Sequence, residues 1–271
     1  MNDMAGILSV QFNPKCGDKK YNLEKAYSII EQYCDKQLDL IVLPEFFTTS
    51  LDEKSVINEP ETSNGGEVVE YMSKVAKRFN TNIICGSVME KDGENLYNTA
   101  FVLNRQGNII AKYRKIHLFD YFGGNEGTYT TPGKESLVVQ MDFGKVGVSM
   151  CFDIQFPLLY KELNKSGAEI IVSPSAWSTL ISDSDEDKKT FVETWRALNI
   201  TRAAENLIYF VTSNLVGQTN QFIYSCGNSM IVNPFGKILQ NACEEECGIY
   251  SLVDLEVVRE LKKTVPLALI D

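Results

Sequence analysis

The sequence predicts an α/β fold in which a mixed sheet is covered by helices. Two observations carry this. Short apolar runs rich in Val and Ile alternate with segments whose apolar residues recur every three or four positions. Hairpin signals also fall between those segments, so the sheet is mixed rather than purely parallel. The strands are numerous enough for two sheets packed face to face.

Residues 1–12 (MNDMAGILSVQF) lack a basic start and read as a first strand rather than a signal peptide. A helix follows over 22–34, with Leu23, Ala26, Tyr27, Ile30 and Tyr33 on one face. Residues 38–44 (LDLIVLP) form the continuous apolar run of a strand buried on both sides. Val68, Met72, Val75 and Phe79 mark a helix over 66–79, and 83–89 a strand. Residues 97–103 and 109–114, joined by Asn104-Arg-Gln-Gly107, form an antiparallel hairpin.

The second half repeats the style. Strands are expected at 137–143, 146–151, 169–173, 209–213, 222–226, 229–232 and 248–253. Helices are expected at 157–166, 187–206 (with Phe191, Trp195 and Leu198 on one side) and 255–263. The charge run at 183–189 leads into a helix and marks no boundary, so one domain over residues 1–271 is expected.

Composition narrows the function. The chain is 44% hydrophobic and 23% charged, which is ordinary for a globular protein, and its net charge of −10 argues against nucleic acid or an anionic membrane as partner. No apolar run reaches the roughly 18 residues of a membrane span. Seven scattered cysteines point to reduced thiols in a cytoplasm rather than a disulfide framework. The single histidine, His117, rules out two-histidine metal sites, and Cys243-x-x-x-Cys247 has no second pair to complete a structural zinc site. No Gly-x-Ser-x-Gly elbow, phosphate loop or dinucleotide fingerprint is present.

Three side chains stand out. Cys151 ends the run KVGVSMC just before a turn into a helix, where α/β sheets gather their ligands. A helix start there favours a thiolate and supplies oxyanion donors. Glu45 ends LDLIVLPE, where loss of water makes a carboxylate a stronger base. Lys115 follows a strand and supplies a fixed positive charge. Each has a plainer explanation: a core cysteine, a surface turn glutamate and a strand-end lysine that snorkels to water.

Taken in order, the segments resemble the nitrilase superfamily of carbon–nitrogen hydrolases. The matching signatures are Leu43-Pro44-Glu45, Tyr113-Arg-Lys115-Ile-His-Leu-Phe119 and Gly147-Val-Ser-Met-Cys151-Phe-Asp-Ile-Gln-Phe-Pro157. Supporting matches are Thr131-Pro132-Gly133, Gly167-Ala168-Glu169-Ile170, Arg202-Ala-Ala-Glu-Asn206 and Gly227-Asn-Ser-Met-Ile-Val-Asn-Pro-Phe-Gly236.

The resemblance implies an α–β–β–α four-layer sandwich that pairs into a homodimer or a higher homo-oligomer. It also implies a Glu–Lys–Cys triad of Glu45, Lys115 and Cys151, with Glu126 as a second glutamate; on that triad the N–H of Phe152, just after the thiol, is expected as an oxyanion donor beside Lys115. Tyr121, Phe122, Ser175, Ala176 and Trp177 are expected at the pocket rim. No metal or organic cofactor is implied; the partners are a small linear amide and water.

Where many relatives have Cys-Tyr-Asp-x-Arg-Phe-Pro-Glu, this chain has Phe152, Gln155 and Leu158. The triad alone does not separate amides from nitriles or N-carbamoyl compounds. A non-catalytic binding protein that kept the fold is a further alternative, against which retention of all four charged and thiol positions speaks.

Overall fold

The computed structural model describes residues 3–51, 53–58, 60–121 and 124–265. Two sheets face each other. The first runs, edge to edge, Cys247–Asp254, Met4–Gln11, Leu40–Val42, Asn82–Asp92, Asn95–Leu103 and Ile109–Arg114, with Glu61–Thr62 beside Asn82–Asp92. The second runs Ile238–Asn241, Met230–Val232, Tyr209–Asn214, Ile170–Ser175, Lys145–Val148 and Leu137–Gln140. In each, three parallel strands form the middle and antiparallel strands the flanks. The mixed sheet read from the sequence is therefore present twice.

Strand alternation decides what lies between the sheets. On the first sheet Ala5, Ile7, Leu40, Val42, Ile84, Ala100, Val102 and Tyr113 join one core with the second sheet. Their neighbours Leu8, Val10, Ile41, Ile83, Phe101 and Leu103 join another, under the helices Lys19–Glu31 and Glu67–Phe79. The helices Pro157–Lys165 and Asp185–Asn206 cover the second sheet, so the layers run α–β–β–α. Period-2 alternation on a strand buried on both faces produces this division.

Toward one end the apolar filling gives way to small polar groups. Ser9 Oγ donates to the carbonyl of Thr212 at 2.8 Å, and Ser213 Oγ to that of Val10 at 2.5 Å. Each hydroxyl thereby satisfies a buried backbone acceptor on the opposite sheet.

Most predicted elements lie where periodicity puts them, with shifted ends. Ser184 caps the long helix, its side chain accepting from the N–H of Asp187, so the helix begins inside the acidic run. The strand expected at 146–151 ends at Val148, and the chain leaves the extended region at Cys151, with φ 44°. Unexpected are the short helix Glu53–Asn58 and the strands Ser178–Leu180 and Val216–Gln218, which pair with the expected strand Ile223–Cys226 in a small separate sheet. Three-residue strands are too short to show a period. Among the described residues no helix is long and apolar enough to cross a membrane.

Candidate active site

Four elements deliver charge to one end of the space between the sheets. Glu45 follows Leu40–Val42, and Lys115 follows Ile109–Arg114. Lys115 lies two residues beyond Tyr113, on the face that alternation turns toward the second sheet. Glu126 opens the short 3₁₀ helix Glu126–Thr128, and Cys151 opens another, Cys151–Gln155.

The Lys115 ammonium lies 2.9 Å from Glu45 Oε1 and 2.7 Å from Glu126 Oε2. All three residues are buried. Glu126 Oε2 also accepts the N–H of Phe119 at 2.9 Å. Burial alone would lower the Lys115 pKa, but the carboxylates of Glu126 and Glu45 outweigh it and hold the ammonium well above its ordinary value. Burial likewise works to raise Glu126, but Lys115, Asn98 and the Phe119 N–H outweigh it and keep its carboxyl below the usual range.

Cys151 lies at the neighbouring corner. Its φ of 44° is a left-handed conformation that costs a non-glycine residue roughly 1–3 kcal/mol. The buried thiol lies close enough to Glu45, Lys115 and the backbone of Ala176 for each to act on its ionisation. Burial pushes the thiol well above its ordinary pKa, and the Glu45 charge adds to this, while Lys115 and the Ala176 N–H oppose it. This corrects the expectation that a helix start would favour the thiolate. The element is a single short 3₁₀ turn, and desolvation outweighs it.

Two clamps hold that turn. Asp153 Oδ2 accepts from Tyr113 Oη at 2.6 Å and from the N–H of Met150 at 2.8 Å. Its Oδ1 lies 2.7 Å from His117 Nδ1 and accepts the N–H of His117 at 3.0 Å. The only histidine stacks on Phe156, ring centroids 3.6 Å apart, as part of this scaffold. From the other side Arg202 donates through Nε and Nη2 to the carbonyl of Ile154, at 2.9 and 2.7 Å.

The expected rim residues divide. The backbone of Ala176 lies near the thiol and works to lower its pKa. Trp177 is buried next to Ala176, its ring stacked on those of Phe191 and Trp195 at 5.0 and 5.2 Å, and its backbone N–H donates to Asn214 Oδ1 at 2.8 Å. Tyr121 is 59% exposed, with its ring 5.7 Å from that of Phe152. The Ser175 hydroxyl donates to the carbonyl of Ser173 at 3.1 Å. Phe122 lies outside the described residues. Gln155 and Leu158, which depart from the common pattern, are both at the surface, Leu158 at 78% exposure.

Sequence reasoning passed over Asn98, whose Nδ2 donates to both Glu45 Oε1 and Glu126 Oε1 at 2.8 Å. Its signal was an amide at the alternate position of the same strand face as Ala100 and Val102. Asp153 and Tyr113 fall within the thiol and lysine motifs, but nothing in either motif marks them as partners of each other.

A family model for carbon–nitrogen hydrolases matches residues 7–263, nearly the whole chain. The chain belongs to the carbon–nitrogen hydrolase family. An ω-amidase of Saccharomyces cerevisiae is 32% identical over 276 residues, covering 96% of this chain and 91% of that protein. A 2-oxoglutaramate amidase of Bacillus subtilis is 29% identical, covering 96% and 95%. The crystal structure of Saccharomyces cerevisiae Nit3, described as a branch 10 nitrilase-superfamily member, superposes with a TM-score of 0.86 at 29% identity, over 97% of this chain and 95% of that one. This carbon–nitrogen hydrolase therefore has the nitrilase sandwich, as the resemblance implied.

Proposed function

We propose that this carbon–nitrogen hydrolase is a small-molecule amidase in which Cys151 attacks the amide carbon and Glu45 moves the proton. The observation that carries the reading is the convergence of Cys151, Glu45 and Lys115 in one buried corner, with Glu45 bonded to Lys115 and close enough to Cys151 to act on its thiol.

Charge balance supports it. Two carboxylates and one ammonium leave a buried net charge of about −1, so a free thiolate would bring a second negative charge out of water. Passing the thiol proton to Glu45 as the C–S bond forms keeps the total unchanged. Glu45 Oε1 is occupied by Lys115 and Asn98, which leaves Oε2 for that transfer. The oxyanion is held by Lys115 and the N–H of Phe152, a first-turn donor without a partner inside its helix.

As the tetrahedral species collapses the C–N bond breaks, and the proton on Glu45 goes to the departing nitrogen. Water then gives a proton to Glu45 while its oxygen attacks the thioester. The C–S bond breaks, the acid leaves, and the sulfur regains its proton. Glu126 anchors Lys115 throughout.

The names of the amidase relatives favour the terminal amide of a short dicarboxylic acid as substrate. Ammonia release should be measured from a short dicarboxylic monoamide, a short aliphatic amide, a nitrile and an N-carbamoyl compound, with mass detection of the acylated protein. The expected result is turnover of the monoamide and a trapped thioester on Cys151. A Cys151→Ala protein that still releases ammonia would refute the reading.

The chain is further read as a cytoplasmic homodimer or higher homo-oligomer. All seven cysteines are free, which suits a reducing compartment. Light scattering on the purified protein tests the assembly, and a monomer at working concentration would remove it.

A further inference from the structure

Asn98 is 1% exposed, on a strand face whose other members, Ala100 and Val102, are apolar. It spends both N–H bonds of its amide on carboxylates: Nδ2 lies 2.8 Å from Glu45 Oε1 and 2.8 Å from Glu126 Oε1. Its backbone carbonyl accepts the N–H of Lys115 at 2.9 Å. Its side-chain oxygen is buried with no partner. The amide orientation follows from charge, because a half-turn would set Oδ1 against two carboxylate oxygens.

We propose that Asn98 is a positioning residue that holds Glu45 and Glu126 together around Lys115 and keeps Glu45 aimed at Cys151. A single ammonium shared by two buried carboxylates leaves their like charges facing each other. The Asn98 amide places two partial positive charges between the facing oxygens and adds no net charge. Without it, one carboxylate swings away or takes a proton, and either change spoils the base. A residue chosen for packing alone would be apolar, like its neighbours on that face. Instead the chain tolerates an orphaned oxygen, a cost that the two donated bonds offset.

This inference rests on the amidase reading, and the two fail separately. Cys151→Ala tests the nucleophile. Asn98→Ala, Asn98→Asp and Asn98→Gln test the positioning role, through kcat, KM and the pH profile of kcat/KM on a short dicarboxylic monoamide. Circular dichroism confirms that each variant is folded.

For Asn98→Ala the expected result is a kcat lower by about 10- to 100-fold with KM within about threefold. The acidic limb should move up by about one pH unit, since a carboxylate that loses a donor holds its proton more tightly. Asn98→Gln should recover part of both effects. Asn98→Asp keeps the shape but adds a third carboxylate, and should move the limb at least as far; it serves if the alanine protein does not fold. An unmoved acidic limb in folded Ala or Asp protein, whatever happens to kcat, would reduce Asn98 to a packing residue and overturn the proposal.

Discussion

Tyr113 on the first sheet and Asp153 beside the second are joined by a 2.6 Å hydrogen bond across the core. Each stands two residues from a member of the charged corner, Tyr113 before Lys115 and Asp153 after Cys151. The bond therefore ties the lysine segment to the thiol segment, and the two carboxylate oxygens of Asp153 extend the tie to His117 and Met150.

Removing that tie should cost both stability and rate. Tyr113→Phe leaves a fully buried carboxylate short of one donor, worth about 1–3 kcal/mol. The urea midpoint should fall accordingly, and kcat should drop by several-fold as the two segments lose register. A stability loss with unchanged kcat would show that the bond holds the fold but not the site.

The legible part of this protein was its alternation. Leu40 and Val42 facing one way and Ile41 the other, and Ala100 and Val102 opposed to Phe101, require a two-sided sheet with a covering layer on each face. Glu45, Lys115 and Cys151 were legible only as an ordered set, because each alone has an ordinary structural explanation. What stayed hidden was contact between distant segments. Asn98 lies 53 residues from Glu45 and 28 from Glu126. No local pattern distinguishes a bridging asparagine from a strand polar residue. The thiol's raised pKa was equally hidden, since burial is a property of the assembled layers.

Glu45→Gln separates proton transfer from geometry. Glutamine keeps the shape and can still accept from Lys115 but cannot take a proton, so kcat should fall by at least about 10²-fold. Wild-type alkylation of Cys151 by iodoacetamide should show no step near the ordinary thiol value of about 8.5, because burial pushes the thiol well above it. A step there, or an unchanged rate in the variant, would mean that the sulfur ionises independently of Glu45.

The charged corner should also shape stability against pH. Folding lowers the Glu126 pKa, so its contribution is present above the unfolded value of about 4.3 and fades as pH falls through the folded one. Folding raises that of Lys115, so its contribution is full below about 10.4 and is lost as pH climbs through the folded value. Urea midpoints measured across this range should be flattest between the two limits. In Glu126→Gln the acid arm should be shallower than in wild type; equal arms would detach Glu126 from acid unfolding.

Arg202 makes the last prediction, because its two bonds to the Ile154 carbonyl fix the far end of the turn that Cys151 opens. Its guanidinium also pairs with Glu205 at 2.6 Å and lies 5.1 Å from the Tyr160 ring centroid. A lysine keeps the charge but cannot make the planar two-pronged contact. Arg202→Lys should therefore cost about 1–3 kcal/mol of stability through the under-satisfied carbonyl. If the turn rather than the charge is what matters, alkylation of Cys151 should slow in parallel with kcat, since both need the sulfur held at the same point. A fall in kcat with wild-type alkylation would place the effect of Arg202 on the substrate side instead.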